Sequence, residues 1–243
     1  VMTAFLTQLS TLSQQQSYRK TENIKSLETL IAPLSLKEFF KKYWKRKAAI
    51  IADDNPQKFR QLLHWEQLQN LLIECPENQM KCFDNGPPIP GEKANLLQRW
   101  HQGQTLHIER IEKLVPALEQ LSGQIAEDLK ASTKMYAFCS HPNRPGAHLH
   151  YDRFDVFVLQ IQGYKKWQVQ LNRGRKPYLE RELKPGDLLY LPRGHWHQAV
   201  ASQEQSLHLT LGISFNNFND SPLEESTFSP FLLKLKNKIF KRF

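Results

Sequence analysis

From Met135 onward the hydrophobic positions recur at every second residue. The stretches "KMYAFCS", "DVFVLQIQG", "KKWQVQL", "DLLYLP", "HQAVA" and "SLHLTLGIS" are short and are separated by Gly, Pro, Asn and Arg. Side chains on a strand alternate between two faces, so this pattern predicts a run of short strands forming a sandwich or barrel. Before Met135 the helical period dominates. Ile24, Leu27, Leu30 and Ile31 fall at helix spacing in "TENIKSLETLIAPL", and Pro33 closes that segment. Ser35 reads as the N-cap of "LKEFFKKYW", with Glu38 in the capping-box position. "AAIIAD" (48–53) predicts a strand, "PQKFRQLLHWEQLQNLLIEC" one or two helices, and "DNGPPIPG" (84–91) a turn-rich loop. "TLHIER" (105–110) alternates, and "KLVPALEQLSGQIAEDLK" predicts a helix with Pro116 in its first turn. In "SPFLLKLKNKIFKRF" Leu232, Leu235, Ile239 and Phe243 form one stripe among lysines, the mark of an amphipathic helix that packs on the strands, on a second subunit or on a membrane.

Composition adds bounds. The chain has 243 residues, of which 40% are apolar, enough for a real core. No apolar run approaches the eighteen or so residues of a membrane span, and "VMTAFLTQLS" lacks the basic start of a signal peptide. Three cysteines, Cys75, Cys82 and Cys139, form no disulfide framework and fit a reducing compartment, so a cytoplasmic location is expected. Lys and Arg number 33 against 24 acids, a formal charge of +9. Two clusters, "KEFFKKYWKRK" (37–47) and "KLKNKIFKRF" (234–243), carry much of this excess and would suit anionic surroundings such as RNA, a ribosome surface or lipid headgroups.

The candidate chemistry sits in "GAHLHYDRFD" (146–155), which holds His148, His150, Asp152 and Asp155. If the stretch is extended, His148, His150 and Asp152 share a face, and an ion is gripped either by His148 with His150 or by His150 with Asp152. "GDLLYLPRGHWHQAV" offers a third ligand: its strand turns through Gly194 and returns at His197, with His195 nearer the turn. Two histidines and a carboxylate would make the facial triad of non-haem Fe(II) oxygenases. His148, His150 and His197 alone would look more like a zinc or isomerase site.

A family resemblance is carried by several of these stretches. "GDLLYLPRGHWH" fits the cupin pattern G-x5-P-x-G-x2-H at Gly186, Pro192, Gly194 and His197. "HYDRFDVFVLQIQGYKKWQV" resembles the jumonji-type cupins that act as ribosomal oxygenases, Fe(II)- and 2-oxoglutarate-dependent protein hydroxylases. "FFKKYWKRKAAII", "QGQTLHIERIEKLVPALEQL" and "SLHLTLGIS" resemble further pieces of that family in the same order, so the likeness spans residues 35–215. It implies a mainly β fold: a double-stranded β-helix (cupin or jelly-roll) barrel over 105–216. An N-terminal helical region (1–104) and a short C-terminal basic helix (217–243) would flank it.

The resemblance also selects among the ligands. His150, Asp152 and His197 match the family's metal residues, with Fe(II), 2-oxoglutarate and O2 as the implied cofactors. His148 and His195 become flanks, and Asp155 a structural hydrogen-bonding residue. For the far carboxylate of 2-oxoglutarate, parity places Lys165 with Trp167 and Val169 on the inward face and Lys166 outward, and the family match also selects Lys165. Thr210, Ser140 and Tyr136 are the hydroxyls expected beside it, while His208 reads as a buried, hydrogen-bonded histidine. The implied activity is hydroxylation of an amino-acid side chain in a protein or peptide, in the family a ribosomal one; the basic surface permits RNA proximity, and a homodimer is open. Only residues 216–243 follow "LGISF", short of the family's winged-helix and dimerising regions, so the same chemistry on a small molecule or peptide natural product, or a metal-binding cupin without oxygenase activity, remain alternatives.

Overall fold

The structure, a computed structural model, describes residues 23–215. Two short helices open it, α1 (Leu27–Ile31) and α2 (Leu36–Lys42). Ser35 caps α2 as its sequence predicts, accepting from the Glu38 amide at 3.2 Å. The reciprocal capping box forms one helix earlier, between Ser26 and Thr29. Phe39 of α2 meets the Tyr190 ring edge-on at 4.9 Å and Phe157 at 5.6 Å, and Trp44 stacks on Tyr190. This aromatic knot pins the opening helices to the strands behind them.

Ten strands follow the predicted alternation and add to it. β1 (Ala49–Ile51), β2 (Met80–Phe83), β3 (Thr105–Glu109), β4 (Ser132–Ser140), β5 (Asp155–Gln162), β8 (Leu188–Leu191) and β10 (Ser206–Ser214) form a seven-stranded sheet in the order β1-β8-β5-β10-β4-β3-β2. β6 (Lys165–Gln170), β7 (Leu179–Leu183) and β9 (Trp196–Ala201) form a second, smaller sheet in the order β7-β6-β9. Helices α3 (Trp65–Glu74), α4 (Lys93–His101) and α5 (Pro116–Leu129) complete the described residues, with Pro116 at the start of α5. None of these helices is long and apolar enough to cross a membrane. The amphipathic segment expected over 217–243 lies outside the described residues.

The expected closed, mainly β barrel is corrected by this topology. The fold is mixed α/β, and its two sheets are not closed on each other. β7 and β9 edge the small sheet and pair with no strand of the large one. Isolated bridges, Pro145 with Val200 and His150 with His197, join the loop between β4 and β5 to β9. The physical reason is that period-two alternation reports a strand's two faces and says nothing about its neighbours. Here β1, β2 and β3, drawn from the first 110 residues, extend the large sheet to seven strands, while helices cover its outer face.

That covering explains why β5 reads as nearly continuous apolar sequence. Phe157, Leu159 and Ile161 pack into the large core on the helical side, while Val156 and Val158 join Trp167, Val169, Leu189 and Leu191 between the sheets. A strand buried on both faces loses its polar alternation. The opposite case is β7, "LEREL", a mostly exposed edge strand whose charges hid it from the sequence pattern.

Gly163, at φ +66°, closes the β5–β6 turn, and a Cβ there would lie 2.1 Å from the Gln205 carbonyl oxygen. Gly123, on the exposed side of α5, has nothing within 4 Å of such an atom. Urea unfolding should therefore show Gly123→Ala stabilising the protein by about 0.5–1 kcal/mol and Gly163→Ala destabilising it by about 2–4 kcal/mol.

Candidate metal centre

The triad is assembled by backbone pairing before any side chain is considered. His150 lies in the loop between β4 and β5, and His197 is the second residue of β9. The His150 amide donates to the His197 carbonyl (3.1 Å) and the His197 amide donates back to the His150 carbonyl (2.7 Å). Gly194, at φ +81°, donates its amide to the Asp152 carbonyl at 2.8 Å, fixing the loop two residues further on. One ligand atom from each of His150, Asp152 and His197 then falls within 4.8 Å of the others, a group able to hold a metal ion.

Both imidazoles are oriented the same way. Nδ1 of His150 lies 2.7 Å from the His148 carbonyl, and Nδ1 of His197 lies 3.0 Å from the His195 carbonyl. A carbonyl only accepts, so each Nδ1 carries the proton and each Nε2 presents its lone pair. Nε2 of His197 stands 3.5 Å from Asp152 Oδ2. Burial lowers the His197 pKa, with the Asp152 carboxylate acting in the other direction, so the ring is held neutral as a ligand must be. His148 and His195 thus serve the triad through their carbonyls. The His148 ring is exposed, and His195 Nδ1 meets the Tyr178 hydroxyl at 2.7 Å.

Asp155 is placed apart from the triad. It accepts from the Tyr190 hydroxyl at 2.8 Å, and that hydroxyl accepts from the Lys45 amide at 2.9 Å, tying β5 to the end of α2. Burial raises its pKa.

The cavity beside the triad has a volume of about 310 Å³. Its walls include His150, Asp152 and His197, and also Tyr136, Lys165 and Thr210. Parity on β6 holds as the sequence predicts: Lys165 is 2% exposed and Lys166 is exposed. The Lys165 ammonium donates to Ser140 Oγ at 2.9 Å and lies 3.5 Å from Nδ1 of His208. Ser140 also accepts from the Thr105 hydroxyl at 3.0 Å, which leaves its own hydrogen free to donate. Ser140 sits behind Lys165, not on the cavity wall. Among the described residues no carboxylate pairs with Lys165, and burial pushes its pKa down to about 7. A buried ammonium with no acid partner, facing a cavity, fits a dicarboxylate ligand. Tyr136 and Thr210 are register partners on β4 and β10; burial pushes the Tyr136 phenol up to about 12, so it stays protonated and able to donate.

Two further cavity residues went unread as such in the sequence. His107 of β3 stacks on Tyr136 at 5.4 Å, and burial pushes its pKa down to about 3. His208 of β10 lies parallel to Phe138 at 4.9 Å and edge-on to Trp167 at 5.5 Å. Both rings are buried, and burial depresses both pKa values, so they form a neutral wall. Parity was the available signal: Leu106 and Ile108 are core residues, which puts Thr105 and His107 on the other face of β3.

The Lys165 environment has a consequence for stability. Its folded pKa lies below its ordinary value, so between about pH 7 and 10 the unfolded chain binds more protons and stability rises with pH. In metal-free protein without dicarboxylates, Lys165→Met should raise the melting temperature at pH 7. It should also flatten the rise between pH 7 and 8.5, which is worth at most about 1.4 kcal/mol per pH unit.

Comparison with known proteins agrees with this geometry. A model described as the JmjC domain matches residues 113–221. The chain is similar to the "Bifunctional lysine-specific demethylase and histidyl-hydroxylase NO66" of Drosophila mojavensis, 27% identical over 226 residues, covering 79% of this chain and 25% of that protein. The protein of the same name from Drosophila melanogaster is 26% identical over 243 residues, covering 88% of this chain and 37% of that one. The chain thus spans well under half the length of these curated relatives. Among solved structures it resembles the Escherichia coli ribosomal oxygenase YcfD, with a TM-score of 0.59 at 16% identity, covering 86% of this chain and 66% of that one. A structure of YcfD in complex with cobalt and 2-oxoglutarate gives 0.55 at 17% identity, with the same coverage. The domain match, the relatives and the His-Asp-His group together make this chain similar to the JmjC-domain, Fe(II)- and 2-oxoglutarate-dependent oxygenases, with the matched residues 113–221 containing all three members of the group.

Proposed function

We propose that this chain carries the oxygenase unit of an Fe(II)- and 2-oxoglutarate-dependent hydroxylase that adds one oxygen atom to an amino-acid side chain of a ribosomal protein. The observation that carries this reading is one cavity with a two-histidine, one-carboxylate group on its wall and a buried, acid-free ammonium facing the same space. All the residues assigned below lie within 105–216, which we take as the catalytic unit. The three free, buried cysteines support a reducing compartment such as the cytoplasm.

In this reading His150, Asp152 and His197 would hold Fe(II). When bound, the metal and 2-oxoglutarate supply the oxidation: one oxygen atom of O2 enters the substrate C–H bond as hydroxyl, and the other converts 2-oxoglutarate to succinate and carbon dioxide. The chain positions these partners. The Lys165 ammonium receives the far carboxylate, and the Ser140 hydroxyl supports it from behind. Tyr136 and Thr210 offer hydroxyls from the facing strands. The two neutral imidazoles of His107 and His208 wall the cavity without adding charge, so the Lys165 cation remains the electrostatic address for an anion.

The test is incubation of the full chain with Fe(II), 2-oxoglutarate, O2 and ribosomal proteins, followed by succinate assay and mass spectrometry. A gain of one oxygen atom on a side chain is expected. Succinate release no higher than in the metal-free control, with every ribosomal protein unmodified, would overturn the proposal. Asp152→Ala should cut turnover at least about 100-fold while leaving the circular dichroism spectrum unchanged, because a half-exposed ligand is lost and not a core residue. Lys165→Ala should raise the KM for 2-oxoglutarate about 10- to 100-fold, the worth of a hydrogen bond to a charged group, with a smaller effect on kcat.

A further inference from the structure

The rim around the triad has a chemistry that the hydroxylation reading leaves unused. Two depressions flank the metal ligands on the outside of the cavity. One, of about 250 Å³, adjoins His150 and is walled by His148, Tyr151, Arg173 and Trp196. The other, of about 690 Å³, adjoins Asp152 and is walled by Tyr151, Arg153 and Arg193 together with Phe215. Three arginines therefore line the two depressions, and among the described residues the only acid in either is Asp152, already assigned to the metal. Tyr151 belongs to both. It leaves 45% of its surface exposed and packs against Trp196 with ring centroids 5.1 Å apart. The Arg173 guanidinium sits 5.8 Å from the Trp196 ring. Arg173 projects from the β6–β7 loop, "LNRGRKPY", which holds three cations and no acid.

Guanidinium groups beside the exposed Tyr151 ring and the half-buried Trp196 ring match single-stranded nucleic acid, whose phosphates take the charges and whose bases take the rings. A basic ribosomal-protein segment does not complement this rim by charge, whereas the RNA around such a protein does. Resting on the proposed function, we propose that single-stranded RNA docks on the Tyr151–Trp196 pair with its phosphates on Arg153, Arg173 and Arg193. The protein side chain to be hydroxylated would then be presented next to the RNA that holds it. The ligand is thus a ribonucleoprotein surface, recognised partly through its nucleic acid.

Fluorescence anisotropy with a labelled single-stranded RNA octamer tests this on the full chain without Fe(II) or 2-oxoglutarate. RNA affinity and hydroxylase activity are therefore read separately, and either can fail alone. Tyr151→Ala should weaken binding about tenfold, the loss expected for one stacked base. Arg173→Ala should weaken it too and reduce the slope of log affinity against log salt by about 0.7, one phosphate contact on a single strand. Lys37→Ala, an equal charge change at an exposed α2 residue that is on the wall of neither depression, should leave the affinity within about twofold of wild type. The proposal is overturned if Tyr151→Ala and Arg173→Ala bind RNA as wild type does. It is equally overturned if Lys37→Ala loses as much as they do. Displacement of the RNA by a polyglutamate of equal charge at equal concentration would point to an acidic protein partner and would also sink it.

Discussion

The paired amide–carbonyl hydrogen bonds between His150 and His197 are the constraint on which the site depends. They join a loop that leaves the large sheet to a strand that edges the small one. The apolar cluster between the sheets holds them together, and these bonds fix the loop against β9 beside it. The same register brings the two imidazoles to ring centroids 4.4 Å apart, with Nε2 of His197 3.5 Å from Asp152 Oδ2. Metal ligation demands placement within a few tenths of an ångström, and backbone pairing supplies that more rigidly than side-chain packing in a loop.

The large sheet divides the molecule into a dry side and a chemical side. Leu207, Leu209, Leu211 and Ile213 of β10 face the helices, while Ser206, His208 and Thr210 lie on the other face of the same strand. β4 divides likewise, with Met135, Ala137 and Cys139 in the core and Tyr136 and Phe138 on the cavity wall. Most of the hydrophobic stabilisation therefore lies between sheet and helices. The space between the sheets is free to hold a lysine, two neutral histidines and a cavity, groups that a core optimised for stability would exclude.

Legibility in the sequence followed from what each signal physically reports. Alternation located β5, β6, β8, β9 and β10, and it put Lys165 rather than Lys166 inside, because facing direction is a property of one strand alone. The grouping of His150, Asp152 and His197 rested on a family resemblance; spacing alone left His148 and His150 as an equal pair. Chain closure was misjudged because strand neighbours depend on long-range pairing that no local pattern encodes. β2 and β7 escaped notice for opposite reasons: "MKCF" is only four residues long, and "LEREL" is an exposed edge whose polar residues carry no alternation. His107 was hidden because a histidine in a strand looks the same whether it faces a core or a cavity.

The rim and the cavity divide recognition between them by charge. Inside, Lys165 is the one cation among the described residues on the cavity wall; Ser140 and His208 lie beside its ammonium, burial works against its charge, and no described carboxylate pairs with it. Outside, Arg153, Arg173 and Arg193 line the depressions that adjoin the metal ligands. On the two proposals above, an anionic macromolecule drawn to the rim would be too large for a 310 Å³ cavity, while a small dicarboxylate would reach Lys165. Size thus separates two anions that charge alone would let compete.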